Sequence, residues 1–403
     1  MLDQSAYSMP KASSVRHASF TSGPLRVTLA LSPQGRILSK RESVAGCIHE
    51  WSYAYDDQGR LARAALNGKT VEAYAYGPHG KRLLDTVAAL GMAGRELRYD
   101  RNGQLVLAGR TRYRYDRSGR LAVMKRGASG THLVYGENGG LEAVHLANGL
   151  VLEYATDGMG RPLEKILDGR VAERFHWRQN GLGFWEDLDQ KRFLKFVYGQ
   201  GRVPTAARLE QDGRTVDLVL GADQIGTVKA IATSDGYLIQ HIAYDSFGNV
   251  LELRGEELGL PIGFAGGVRD RHLGLIRFGH RDYDPTIGRF TAPDPLGDTG
   301  GDHDLWEYCV DDPVNAVDPK GLQEQPATDE DPSSNGFWDE AKDFLTPPLL
   351  AQEGNPKREW AEGMIKRPLH EFKDGFVKQI PTLEVEAVKI GGRLYKKHKQ
   401  QGK

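Results

Sequence analysis

Tyr53-Ala54-Tyr55-Asp56-Asp57-Gln58-Gly59-Arg60-Leu61 returns almost letter for letter as Tyr113-Arg114-Tyr115-Asp116-Arg117-Ser118-Gly119-Arg120-Leu121. Weaker copies surround them: Tyr74 and Tyr76 with Gly80 and Leu83, Tyr99-Asp100 with Gly103 and Leu105, Tyr135 with Gly139 and Leu141, and Tyr154 with Asp157, Gly160 and Leu163. From Tyr55 the anchor tyrosines at 76, 99, 115, 135 and 154 step by 21, 23, 16, 20 and 19 residues. The period is near twenty but elastic. Alternating Tyr-x-Tyr suits one face of a strand, Asp-x-x-Gly supplies a turn with Gly where positive φ is needed, and Arg-Leu opens the next strand. Two strands and two turns fill such a period, which predicts antiparallel hairpins joined side by side into a long sheet. A lone copy would be an ordinary hairpin turn. Six in register are a repeat architecture.

Glycine agrees with a turn-rich chain: 49 of 403 residues, against a usual share of about 7%. Lys plus Arg number 53 against 54 Asp plus Glu, a balance that argues against a globally electrostatic binder of nucleic acid or membrane. No run of eighteen apolar residues predicts a membrane span. Cys47 and Cys309 stand far apart, so neither a disulfide framework nor a zinc site is expected. The histidines lack His-Glu-x-x-His spacing, no phosphate loop occurs, and Gly181-Leu182-Gly183 lacks the third glycine of a dinucleotide loop, so no cofactor or metal is expected. His272 and His280 lie in a segment read as strand.

The later motifs make the repeat specific. Tyr244-Asp245-Ser246-Phe247-Gly248-Asn249 is followed by Leu273-Gly274-Leu275-Ile276-Arg277-Phe278-Gly279-His280-Arg281-Asp282-Tyr283-Asp284-Pro285, then Ile287-Gly288-Arg289-Phe290. Ala292-Pro293-Asp294-Pro295-Leu296-Gly297, Leu305-Trp306-Glu307-Tyr308 and Asn315-Ala316-Val317-Asp318-Pro319-Lys320-Gly321-Leu322 complete the set. The ordered series resembles the tyrosine-aspartate (YD) repeat of the rearrangement-hot-spot (Rhs) family, relatives of toxin-complex C subunits and teneurins. That resemblance implies a mainly β fold, YD hairpins spiralling into a full or partial shell around a C-terminal toxin. It also implies an aspartyl autoprotease in the closing core.

On this reading residues 1–45 are an N-terminal segment of unassigned role, 46–243 the repeat shell, 244–322 the Rhs core, 323–335 a linker and 336–403 a variable, toxin-like tail. Carboxylate hydrolysis of a peptide needs two acids close enough to share one proton, so that one activates water while the other protonates the carbonyl. The resemblance carries that pair onto Asp294 and Asp318 and places the cut at Leu322-Gln323. The first motif departs from the family pattern, with Asp298 after Gly297. Asp-Pro occurs five times, at 284, 294, 312, 318 and 331, and Asp then Pro suits a plain type I turn, so only the flanking residues single out 294 and 318. Arg289 could hold a carboxylate through a bidentate contact, though a structural ion pair is the commoner use. Asp294, Asp298, Asp302 and Asp304 could also ligate Ca²⁺, but the closing bidentate Glu of an EF-hand is absent.

After Leu322 the character changes. Residues 323–350 carry seven acids against Lys342 alone, whereas Lys389, Arg393, Lys396, Lys397, Lys399 and Lys403 end the chain without an acid among them. The acidic, Pro/Ser-bearing stretch reads as a linker. Phe337, Ala341, Phe344 and Leu345 fall at helical spacing, so the tail reads as mainly α or disordered. Its basic end is the one segment that could touch nucleic acid.

The expected partners are the chain's own tail as encapsulated cargo, a cognate immunity protein and a component of a secretion system. Without a recognisable signal peptide, the chain is expected to be made in the cytoplasm and delivered by specialised secretion in interbacterial competition. The competing readings are a non-cleaving cell-surface or carbohydrate-binding module, whose tyrosines would stack on sugars, and a decayed Rhs remnant.

Overall fold

The computed structural model describes residues 15–297 and 304–327; the expected helical tail and most of the linker lie outside them. Among the described residues 23 strands form one sheet. Each strand pairs antiparallel with the next in sequence, from Arg16–Ser22 to Val250–Gly255. In such a meander successive turns alternate between the two rims, so all the Asp-x-x-Gly turns share one rim.

The turns show why the repeat has its letters. The Asp56 N–H donates to Arg60 O (2.9 Å) and the Gly59 N–H to Asp56 O (2.9 Å). The Asp56 carboxylate accepts the N–H of Gln58 (3.0 Å) and of Arg60 (2.9 Å), and also the Arg60 Nε–H (2.8 Å). Gly59 has φ 87°, which only glycine adopts without strain. Asp116 and Asp157 repeat the pattern.

The tyrosine then ties each repeat to the one before it. Tyr55 donates its hydroxyl to Ile37 O (2.7 Å), Tyr76 to Leu61 O (2.7 Å) and Tyr99 to Arg82 O (2.9 Å). Trp177 does the same to Pro162 O (2.7 Å) through its indole N–H. The turn arginine reaches forward: Arg60 donates to Gly80 O (2.9 Å) and lies 4.2 Å over the Tyr76 ring. Arg120 donates to Gly136 O (2.9 Å), 5.4 Å over Tyr135. The period is elastic because only rim groups must meet, while strand length varies from Leu105–Ala108 to Cys47–Tyr55.

The sheet begins at Arg16 rather than 46, which corrects the expected boundary of the shell. Ser32-Pro33-Gln34-Gly35-Arg36 is a repeat turn without its signature letters: Ser32 Oγ accepts the Arg36 N–H (3.2 Å) in place of the Asp carboxylate, and Gly35 keeps φ 87°. The tyrosines, read as one possible sugar-stacking surface, are buried or half-buried beneath the rim arginines.

The sheet curls until its ends meet. The Ala222 N–H donates to Ser22 Oγ (3.0 Å), and a Cβ on Gly221 would sit 2.8 Å from Leu25 Cβ, so glycine permits the approach. Lys40 pairs with Asp223 (3.0 Å) and Glu42 with Lys229 (2.6 Å), all buried. Burial alone would raise the Glu42 carboxyl; Lys229 and Lys40 overcome it and hold it well below its ordinary value.

Residues 256–297 and 304–327 fill the concave face and cross the YD rim. Leu258 and Ile262 pack with Trp185 and Leu218, Leu273 and Ile287 with Leu121 and Leu152, and Val314 with Leu25 and Leu61. Trp306 donates its indole N–H to Gly119 O (3.0 Å) on the rim.

Tyr76→Phe removes a single inter-repeat hydrogen bond without changing shape and is expected to cost about 1 kcal/mol. Urea denaturation reads this, and an unchanged midpoint would show that the tyrosine link does not stabilise the sheet.

Candidate functional site

Arg281 organises the site. The short strand Arg281–Asp284 pairs with Ile276–Phe278 on one side and Arg289–Phe290 on the other, and Arg281 lies 3.6 Å over the Phe290 ring. Its Nη2 is 2.8 Å from Asp294 Oδ2 and 3.0 Å from Asp318 Oδ2. Nε donates to Gly321 O (2.7 Å) and Nη1 to Leu305 O (3.0 Å). Burial pushes the guanidinium down from its ordinary value, while Asp294 and Asp318 oppose the shift. The structure thus brings the two aspartates picked out in the sequence onto one guanidinium nitrogen. Arg281 itself was not singled out there, although it stands in the quoted core motif.

The bond expected to be cut lies against this pair. Asp318 Oδ1 accepts the N–H of Leu322 (3.0 Å) and of Gln323 (3.2 Å). Repeat-turn aspartates instead bond to the second and fourth residues after them, as Asp56 does, so the Asp318 loop is set differently. Two glycines allow the loop to lie flat on the preceding turn: a Cβ on Gly279 would come 2.3 Å from Lys320 O, and one on Gly321 2.4 Å from Phe278 O. Arg281, Asp294, Asp318, Leu322 and Gln323 line a cleft of about 30 Å³, enough for a water molecule.

Chemically, the cleft sets one carboxylate oxygen at the amide nitrogen of Leu322-Gln323 and holds a second carboxylate on the same cation. In an aspartyl dyad one shared proton relieves the repulsion between two acids; here the guanidinium supplies the positive charge. The cleft wall includes Cys309 and Val310, which with Asp311 form three successive non-glycine residues at φ 53°, 47° and 53°. Left-handed backbone costs such residues roughly 1–2 kcal/mol each. The segment is held by Tyr308, fully buried and 4.7 Å from the Tyr283 ring, and by Asp311 facing Arg82 at 3.6 Å.

Arg289 does not touch the pair. It makes the bidentate contact expected of it, but to Asp304 (2.8 and 2.6 Å), a buried structural ion pair joined by Lys81. Of the four aspartates considered for Ca²⁺, Asp298 and Asp302 lie outside the described residues. His272 occupies a turn rather than a strand, its Nδ1 2.7 Å from Lys165 Nζ. Burial and Lys165 lower its pKa to about 3, which keeps the ring neutral.

Comparison with known proteins follows this geometry. The family model described as Teneurin YD-shell matches residues 24–301. The chain belongs to that YD-shell family. Teneurin-3 of Danio rerio is 29% identical over 310 residues, 72% of this chain and 11% of the relative. Probable deoxyribonuclease RhsB of Dickeya dadantii (strain 3937) is 28% identical over 187 residues, 45% of this chain and 13% of the relative. The crystal structure of TcdB2-TccC3 superposes with a TM-score of 0.53 at 17% identity, covering 74% of this chain and 19% of that one. The YD-shell chain therefore shares its fold with Rhs, teneurin and toxin-complex shells, and spans about a tenth of the length of the teneurin it matches.

Asp312, in an Asp-Pro pair outside the cleft, gives a pH test. Burial raises its carboxyl to about 6, above an unfolded value of about 3.9. A raised carboxyl contributes stability that is fully present below about pH 4 and is lost as pH rises through about 6. Asp312→Asn should leave stability at pH 4 nearly unchanged and raise it at pH 7. Denaturation at both pH values checks this, and an equal loss at both would refute it.

Proposed function

We propose that this YD-shell chain is an Rhs-type effector that cuts itself after Leu322 and thereby frees its C-terminal tail. The observation that carries the reading is the Leu322-Gln323 amide N–H on Asp318 Oδ1, with Asp294 and Asp318 sharing Arg281 Nη2. In the proposed step Asp294 takes a proton from water as its oxygen bonds to the Leu322 carbonyl carbon. The carbon–nitrogen bond breaks, and the proton that Asp294 took from water passes to the Gln323 nitrogen, whose N–H Asp318 Oδ1 holds in place. Arg281 is a positioning residue that keeps both carboxylates in the cleft until the reaction begins.

The wider reading is that the shell retains the freed polypeptide as cargo, that a cognate immunity protein guards the producer, and that specialised secretion delivers the effector against competing bacteria. The shared fold with TcdB2-TccC3 and the similarity to a probable Rhs deoxyribonuclease support it. The teneurin similarity supports the non-cleaving alternative, a cell-surface module.

The test is a denaturing gel with intact mass on the purified chain. Cutting after Leu322 should split 44.6 kDa into roughly 36 and 9 kDa by proportion of residues, with Gln323 as the new N-terminus. Asp294→Asn and Asp318→Asn should each abolish the cut while the protein stays folded, and Asp312→Asn should not. An uncut wild-type chain would favour the cell-surface module, and full cutting in both of the first two variants would sink the assignment.

A further inference from the structure

Charge is segregated on one stretch of the outer sheet face. Residues 101–135 hold eight Arg or Lys and one acid, Asp116, in a chain of net charge −1. Asp116 is already committed to Arg120 within its own turn.

The register lays the cations out in rows. Arg98, Leu107, Arg112 and Lys125 are direct neighbours across the strands Met92–Tyr99, Leu105–Ala108, Thr111–Tyr115 and Leu121–Arg126. One step along, Arg114 sits opposite Val123, and Val123 opposite His132. Tyr113, Leu97, Leu133 and Val144 are buried in the core, so the alternating Arg112, Arg114, Lys125 and His132 face away from it and are exposed. Arg110 and Arg117, exposed at the two ends of the Thr111–Tyr115 strand, extend the band to both rims. Arg98 is balanced by Glu96 (2.8 Å). Among the described residues Arg110, Arg112, Arg114, Arg117 and Lys125 make no ion pair.

Arg112 directly opposite Lys125 is a destabilising arrangement for a sheet in isolation. Nothing in the fold requires it, since the opposite face carries the packing. An anionic surface removes the repulsion.

We infer that this outer face docks on an anionic lipid surface. Three features favour a bilayer over a nucleic acid. The band is a broad sheet face rather than a groove. Its cations alternate with aliphatic Leu107, Val123 and the exposed Val134 (45%), with no exposed Phe, Tyr or Trp ring in the band for stacking on bases. The cations are unevenly spaced, which a fluid leaflet can match by gathering anionic headgroups beneath each one. Basic residues near an anionic leaflet each add attraction that fades within a Debye length.

The experiment is co-sedimentation of the full chain with phosphatidylcholine vesicles, with and without phosphatidylglycerol, beside a gel-shift with duplex DNA. Binding to the phosphatidylglycerol vesicles only, weakening as salt rises, is expected. Arg112→Glu with Lys125→Glu should weaken it about tenfold or more, while Arg63→Glu, an exposed cation outside the band, should change it little. Circular dichroism confirms that the charge-reversed chain folds; if it does not, Arg112→Gln and Lys125→Gln separately carry the test. Equal binding to both vesicle types, no vesicle binding, an unaffected double variant, or binding to DNA alone would each overturn the inference.

Discussion

The tyrosine hydroxyl on the carbonyl of the preceding repeat is the contact on which the rest of the structure depends. A hairpin cannot bury its own face, and the intrinsic twist of a meander does not by itself bring its first and last strands together. Tying Tyr55 to Ile37 and Tyr76 to Leu61, while Arg60 lies over Tyr76 and reaches Gly80, draws one rim together repeat by repeat. Among the described residues the opposite rim has no such tyrosine–arginine ladder; its ties are single contacts such as Asn67 Oδ1 on the Glu50 N–H and Asp168 Oδ1 on the Val151 N–H. Curvature follows, and with it a concave face that residues 256–297 and 304–327 can occupy.

That occupation builds the cleft. Arg281 reaches Asp294 and Asp318 because the strands around it are wedged between the sheet and the aromatic cluster of Phe264, Phe278, Tyr283, Phe290 and Tyr308. The left-handed backbone at Cys309–Asp311 persists because the same cluster and Arg82 surround it. Strain of this kind survives where packing over-determines it, and it gathers at functional sites. The charge network of Lys40, Glu42, Asp223 and Lys229 serves a different end, joining the two ends of the sheet in the interior. Removing one member would leave a buried charge uncompensated.

Legibility in the sequence tracked how local each interaction is. Asp56 to Arg60 form one turn whose donors and acceptors all lie within four residues, so the letters and the geometry coincide. The turn at Ser32–Gly35 escaped notice because Ser does the work of Asp through the same hydrogen bond. Arg289 was read as a bidentate partner and is one, but its carboxylate is Asp304. Spacing along the chain could not rank Asp304 above Asp294.

The sequence by itself determined the hairpin repeat and the mainly β class, because period, turn chemistry and strand alternation are properties of neighbouring residues; the two Asp-Pro motifs came from the resemblance of their flanking residues to the Rhs core. Only the tertiary structure decided that Arg281 joins Asp294 to Asp318, that the Leu322-Gln323 amide rests on Asp318, and that Arg112, Arg114 and Lys125 share one outer face. Those depend on which segments a curled sheet brings together. Residues far apart in the chain meet only when the register of every intervening strand has been set.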